Sequence, residues 1–149
     1  MVREAATREG LTHTRDNLIA MGIRLRSDGG VGVLAQRVLP RLADRAVVDS
    51  IRNPGEVAVL RGLPLFRLLG VDAPLALRFQ RSLERGRVGD GATIEEFTRR
   101  EERENSSTDA GQQLLATMAL ADVVIRNDGS LEVLAERVQE ALARCGIRP

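Results

Sequence analysis

The sequence has no lysine, no tryptophan and no tyrosine among its 149 residues. Because all 22 basic residues are arginine, no side chain can form a Schiff base or act as the lysine of a phosphate-binding loop. Three phenylalanines are too few for a surface that stacks bases, and a net charge of +1 attracts a phosphate backbone only weakly. We therefore expect that this chain does not bind nucleic acid.

Cysteine and histidine each occur once, as Cys145 and His13. This count excludes an internal disulfide and a Cys/His zinc site, so we predict no metal ligand set. The N-terminal sequence is charged, and no apolar run is long enough to cross a bilayer. We expect a cytoplasmic protein without a membrane partner. Its length and its 43% hydrophobic content fit one globular domain over residues 1–149.

The hydrophobic pattern alternates between amphipathic segments and short, continuously apolar runs. Apolar strands separated by helices typically pair in parallel, with helices on both faces of the sheet. The sequence therefore predicts a three-layer α/β fold in which the second and third strands are neighbours. Helices are predicted at residues 2–9, 14–26, 31–43, 56–61, 74–85, 93–104, 111–121 and 130–143, and strands at 46–50, 65–71 and 122–126.

Polar side chains follow each predicted strand. Asp49 and Arg52 come after the first strand, Asp72 comes after the second, and Asn127 and Gly129 come after the third. Parallel α/β sheets bind ligands beyond the carboxyl ends of their strands. We therefore expect these residues to converge on a site at one edge of the sheet.

Arginines line one face of the helix predicted after the second strand. Arg78, Arg81 and Arg85 follow helical spacing, and Arg87 comes just beyond the helix. Guanidinium groups bind phosphate oxygens in pairs, so the stripe fits a polyphosphate ligand and should form the most electropositive patch. The stripe fits equally well a solvated basic face that is paired with Glu84, Glu95 or Glu96.

Residues 93–104 alternate in charge along a predicted helix. Such alternation is typical of a solvated helix face, and it also suits a mobile lid. We take residues 86–108 as the candidate lid.

Three long segments resemble one family. Residues 47–60 (VVDSIRNPGEVAVL), 68–97 and 111–138 together look like the later part of a P-loop nucleotide kinase, with dephospho-coenzyme A kinase-like and nucleoside monophosphate kinase-like proteins as the nearest relatives. The pattern Ala-Asp-x-Val-Ile-x-Asn-x-Gly-Ser at residues 121–130 carries most of this resemblance. The resemblance implies transfer of the γ-phosphoryl group of ATP, with Mg²⁺, to a nucleotide-like acceptor.

The resemblance also implies roles for particular residues. One group binds the acceptor, a second forms the arginines of the lid, and a third borders the adenine. Arg52 would hold acceptor phosphate, Asp49 would support magnesium or the acceptor, Arg81, Arg85 and Arg87 would be the lid arginines, and Asn127 and Gly129 would border the adenine.

The sequence departs from this family at its start. Such kinases begin with a strand, a loop ending in Gly-Lys-Ser/Thr and a helix, and none of these is present. A strand, loop and helix would need on the order of 30 more residues. We expect a chain shortened at its N-terminus, inactive or nearly so and unable to hold ATP and Mg²⁺ firmly. The alternative is a non-catalytic module that binds a nucleotide or a protein.

Loss of the first strand has a structural consequence. In this family that strand lies between those predicted here at 46–50 and 65–71. Without it, we expect either direct pairing of these two strands or exposure of Val47, Val48, Leu68 and Leu69. Because exposed apolar edges promote association, we also expect self-association through the sheet edge.

Overall fold

The computed structural model describes residues 1–86, 92–105 and 108–147. The described residues form a mixed α/β structure with eight α-helices, one short 3₁₀ helix at Leu39–Arg41 and two strands. These elements divide between two compact units. In chain order they are α1 (Val2–Arg8), α2 (Arg15–Gly29), α3 (Val33–Val38), α4 (Pro54–Leu60), β1 (Leu69–Asp72), α5 (Leu75–Arg85), α6 (Ile94–Glu104), α7 (Leu114–Ala119), β2 (Val123–Arg126) and α8 (Leu131–Arg144).

Side-chain caps and a glycine mark the ends of three helices. The Thr14 hydroxyl accepts a hydrogen bond from the backbone N–H of Asn17, and the Ser130 hydroxyl accepts one from Val133. Gly86 ends α5 in the left-handed region, with φ of 58°. Pro40 shortens the third helix, because α3 ends at Val38 and the chain continues as a 3₁₀ turn.

The first unit comprises residues 1–66 and 104–117. Within it α1 packs on α2, α2 on α3 and α3 on α4. Its buried side chains include Met21, Val57 and Leu60, none of which is more than 2% exposed. Gly55 lies against Val31, and a Cβ on this glycine would collide with the valine side chain. This close approach lets the start of α4 sit directly on the turn before α3.

The second unit comprises residues 67–103 and 118–149, of which 148 and 149 lie outside the described part. Its strands β1 and β2 pair in parallel from Leu69 with Val123 to Asp72 with Arg126, which confirms the predicted pairing. α8 packs against β2. Gly70 of β1 faces Met118, whose sulfur leaves no room for a Cβ. Because Asp72 pairs with Arg126 at the ends of the parallel strands, the segments that follow them begin at the same edge of the sheet.

The strand predicted at residues 46–50 is wrong. These residues lie in the described part of the chain, but they form neither a helix nor a strand there, and Ser50 has a positive φ of 63°. A strand needs a neighbour for its N–H and C=O groups, and apolar character alone does not supply one. Val47 is 96% exposed, as expected for an unpaired strand, whereas Leu68 is buried, contrary to expectation. The predicted strand at 65–71 is shorter than expected and begins at Leu69.

Candidate functional site

The carboxyl ends of the two strands lead into a turn that α5 holds in place. The Arg81 guanidinium donates from Nη1 to the Asn127 carbonyl at 2.9 Å and from Nη2 to the Gly129 carbonyl at 3.5 Å. The Asn127 N–H donates to the Asp72 carbonyl at the end of β1, at 2.7 Å. Three residues predicted for the site, Arg81, Asn127 and Gly129, are therefore in contact.

Arg137 of α8 holds the same turn from another side. Its Nη1 donates to the Arg126 carbonyl at 2.6 Å and to Asp128 Oδ1 at 2.5 Å. Arg126 Nε donates to the other carboxylate oxygen of Asp128 at 3.0 Å. Hydrogen bonding and charge from Arg137, and then from Arg126, hold the pKa of Asp128 below its usual value. The turn over residues 127–129 is thus fixed by β1, α5 and α8.

Replacing Asp128 with asparagine should flatten the acid limb of the stability profile. Because the pKa of Asp128 is lowered on folding, its contribution is present above the unfolded pKa of about 3.9 and is lost as the pH falls through the folded value. The melting temperature of Asp128→Asn should therefore fall less steeply than that of the wild type in this range. Parallel melting profiles below pH 4 would contradict the prediction.

The remaining arginines of the α5 stripe differ in their surroundings. Arg78 forms a bidentate ion pair with Glu101 of α6, at 2.9 Å and 2.8 Å, and this carboxylate raises the pKa of Arg78. Arg85 is exposed in the last turn of α5. Arg87 lies outside the described residues. The charge of Arg78 is therefore balanced within the unit. The partner is Glu101, and not Glu84, Glu95 or Glu96.

The described part of the candidate lid packs on α5. The rings of Phe79 and Phe97 meet at 5.7 Å between centroids, and Phe97 is buried. Thr93 caps α6 by accepting from the Glu96 N–H at 3.3 Å, and the Glu96 carboxylate accepts from the Ala92 N–H at 2.8 Å. These contacts form a variant of a capping box, in which the carboxylate reaches the residue before the N-cap. Residues 87–91 and 106–107 of the candidate lid lie outside the described part.

The first unit contains the two residues predicted for the acceptor. Arg52 is half-buried, and its Nη1 donates to Gln112 Oε1 at 3.1 Å. Its carbonyl accepts from the Gln113 N–H at 2.8 Å. Asp49 is exposed, and within the described residues its carboxylate makes no ion pair. The guanidinium of Arg52 is therefore oriented by a neutral amide, and the carboxylate of Asp49 faces solvent.

A buried polar network lies beside Arg52, and the sequence patterns did not single it out. Arg26 donates from Nε and Nη2 to Glu56 Oε1 at 3.0 Å and 2.7 Å, and each residue is 4% exposed. The other carboxylate oxygen of Glu56 accepts from the Arg52 N–H at 2.9 Å. The Asn53 amide donates to the carbonyls of Asp109 at 2.7 Å and Gly111 at 3.0 Å.

The sequence contains a signal for part of this network. Asn53, Pro54 and Glu56 follow the pattern of a helix N-cap, first turn and N3 position. That pattern places the Glu56 carboxylate near the start of α4. It does not reveal Arg26, which is 30 residues away along the chain.

A protein site that holds a metal ion by side chains alone brings several carboxylate, imidazole or thiolate groups together. No group of three or more His, Cys, Asp or Glu side chains lies together in this part of the chain. No helix among the described residues is long and apolar enough to cross a membrane.

Comparison with known proteins shows the family of this chain. No family model matches it. It is 36% identical to a UPF0200 protein of Methanoculleus marisnigri over 99% of this chain and 80% of the relative, and 36% identical to one of Hyperthermus butylicus over 97% and 77%. A UPF0200/UPF0201 protein of Archaeoglobus fulgidus is 33% identical over 97% of this chain and 46% of its own length. The chain belongs to the UPF0200 family.

Proposed function

We propose that this chain carries the acceptor-binding and adenine-bordering parts of a nucleotide kinase-like phosphotransferase. The reaction would transfer the γ-phosphoryl group of ATP to a nucleotide-like acceptor, such as dephospho-coenzyme A or a nucleoside monophosphate. The observation that carries the proposal is the contact of Arg81 with Asn127 and Gly129 at the carboxyl ends of β1 and β2. Ligands of parallel α/β sheets bind at such ends.

Arg81 places a positive charge beside the turn that would border the adenine. A guanidinium has five N–H donors, and the two hydrogen bonds to the turn leave donors for a phosphate oxygen. Arg85, one helical turn further along α5, is exposed and adds a second cation to the same helix. Phosphoryl transfer depends on such positioned positive charge.

Arg52 and Asp49 supply the acceptor side of the proposal. Gln112 orients the Arg52 guanidinium without neutralising it, so its charge remains for a phosphate. The neighbouring Glu56 carboxylate is paired with Arg26 and accepts only the backbone N–H of Arg52, so it leaves the Arg52 guanidinium free of a carboxylate. The exposed carboxylate of Asp49 suits a ligand to Mg²⁺ or an acceptor of a hydroxyl proton.

The triphosphate itself does not fit the residues of this chain. The sequence contains neither a lysine nor a loop ending in Gly-Lys-Ser/Thr. When bound, ATP supplies the phosphoryl group, and this chain supplies charge and orientation around the acceptor. The same absence favours, for this chain alone, a non-catalytic module that binds a nucleotide without turnover.

A binding titration tests the proposal. We expect dephospho-coenzyme A or adenosine monophosphate to bind the purified chain and Arg52→Ala to weaken binding about tenfold to a hundredfold, because hydrogen bonds to charged groups contribute about 1.5–3 kcal/mol. Arg37→Ala, which removes an exposed arginine of the same unit, should leave binding unchanged. Isothermal titration calorimetry measures both.

An assay of turnover tests whether this chain is catalytically active. We expect ATP hydrolysis and phosphoryl transfer no faster than in a buffer control. Sustained turnover that Arg81→Ala abolishes would overturn the expectation of inactivity. Failure of both nucleotides to bind, or binding that is indifferent to Arg52→Ala, would overturn the acceptor site.

A further inference from the structure

The turn after β2 carries more positive charge than its own carboxylate neutralises. Arg81, Arg126 and Arg137 all donate hydrogen bonds to acceptors within residues 126–129. In the described part of the chain, Asp128 is the one acid that pairs with any of the three arginines. These four side chains therefore leave a formal charge of +2 at the turn.

Arg126 and Arg137 share the carboxylate of Asp128. Each binds a different oxygen of it, so both guanidinium groups lie beside one carboxylate. Arg126 uses only its Nε in this contact, and Arg137 uses only its Nη1. Because a guanidinium has five N–H donors, most donors of both groups remain for another acceptor. The two side chains are 65% and 37% exposed, so a ligand can reach these donors from solvent.

Neutral backbone acceptors hold two of these arginines in place. Arg137 donates to the Arg126 carbonyl, and Arg81 donates to the carbonyls of Asn127 and Gly129. A carbonyl oxygen orients a guanidinium without cancelling its charge. Side chains that are already ordered lose little entropy when a ligand binds, and guanidinium groups match the geometry of phosphate oxygens.

The contacts of Arg126 indicate a role beyond holding the turn. Its side chain bonds only Asp128, two residues away, and reaches no other element. An exposed ion pair of this kind contributes little to stability, yet this one places a second cation close to Arg137. The cluster also lies at the carboxyl end of β2, where ligands of parallel α/β sheets bind.

We infer that Arg126 and Arg137 form a binding site for a diphosphate group, with Arg81 adding positive charge at the same turn. A diphosphate has two linked phosphoryl groups, so its oxygens can accept from more than one guanidinium at once. Inorganic pyrophosphate and nucleoside diphosphates share this chemistry. The inference does not rest on the proposed function, since it needs neither the acceptor site nor an adenine. Arg81 belongs to both and stays unchanged in the variants below.

Isothermal titration calorimetry with inorganic pyrophosphate tests the site. Arg126→Gln should weaken binding about tenfold, because it removes charge-assisted hydrogen bonds and leaves the backbone contacts of the turn in place. Arg144→Gln, the matched control at an exposed arginine in the last turn of α8, should leave binding unchanged. Adenosine diphosphate distinguishes the two sources. Tighter binding than pyrophosphate assigns the site to nucleotides, equal binding assigns it to the diphosphate alone, and either result supports the inference when Arg126→Gln weakens it.

Asp128→Asn separates binding from stability. The change removes the one carboxylate that opposes a bound anion, so pyrophosphate should bind about threefold to tenfold more tightly. The melting temperature at neutral pH should fall, because both ion pairs are lost. If the cluster only held the turn, binding would not improve as stability falls.

Several results would overturn the inference. These are a wild-type chain that does not bind pyrophosphate, binding that is indifferent to Arg126→Gln, and binding that Asp128→Asn does not strengthen. Loss of pyrophosphate binding in Arg52→Ala would place the anion at the acceptor site and would also overturn it. A chain that binds pyrophosphate at this turn, but neither dephospho-coenzyme A nor adenosine monophosphate, would overturn the proposed function alone.

Discussion

Replacing Glu56 with alanine is expected to lower the free energy of unfolding by about 3–5 kcal/mol. The change leaves the Arg26 guanidinium buried without its carboxylate, since both residues are 4% exposed in the native structure. It also removes the acceptor of the Arg52 N–H. Urea unfolding followed by circular dichroism measures the loss.

Two further variants show whether the unpaired charge is the cause. Replacing both partners with apolar residues, as in Arg26→Met with Glu56→Leu, should cost much less than Glu56→Ala, because no buried charge is left. Glu4→Ala breaks an exposed ion pair with Arg41 and should change stability little. A double variant as unstable as Glu56→Ala would contradict this account. It would show that lost packing, and not the unpaired charge, causes most of the loss in free energy of unfolding.

Replacing Asn53 with aspartate is expected to lower the free energy of unfolding by about 3 kcal/mol or more at neutral pH, even though the two side chains have the same shape. Oδ1 would still cap α4 by accepting from the Gly55 N–H. The second oxygen would face the carbonyls of Asp109 and Gly111, which now accept from the amide. Three acceptors would then meet without a donor, at a position that is 2% exposed.

The pH dependence of this variant provides a second readout. Burial and the facing carbonyls should raise the folded pKa of the new carboxyl group above its unfolded value. The destabilisation should therefore shrink as the pH falls through the folded pKa, because the protonated acid can donate one hydrogen bond. Asn17→Asp, the same change at a half-buried position in the first turn of α2, should cost much less: it also loses the hydrogen bonds that the amide donates to the Thr12 carbonyl and hydroxyl, but the new charge is partly solvated and lies at a helix N-terminus. An equal loss at both positions would contradict the role of burial.

Local patterns predicted the helices because their determinants are close along the chain. Thr14 and Ser130 cap helices by bonding residues three positions further on, and Gly86 ends α5 through its own backbone conformation. Parallel pairing of β1 with β2 follows from two apolar runs separated by helices. At the ends of these two strands the Asn127 N–H donates to the Asp72 carbonyl, which places two of the polar residues that follow the strands side by side.

The sequence by itself determined the order and approximate positions of the helices, the two paired strands and the absence of a phosphate-loop lysine, whereas several helix ends differ from the prediction, as at α3, which ends at Val38. Only the tertiary structure decided that residues 46–50 remain unpaired, since an apolar run becomes a strand only when another edge lies beside it. Likewise, only folding brought Arg26 to Glu56, because the spacing along the chain carries no signal for contacts 30 residues apart. Local conformation depends on neighbouring residues, whereas strand pairing and buried ion pairs depend on which distant segments the core brings together.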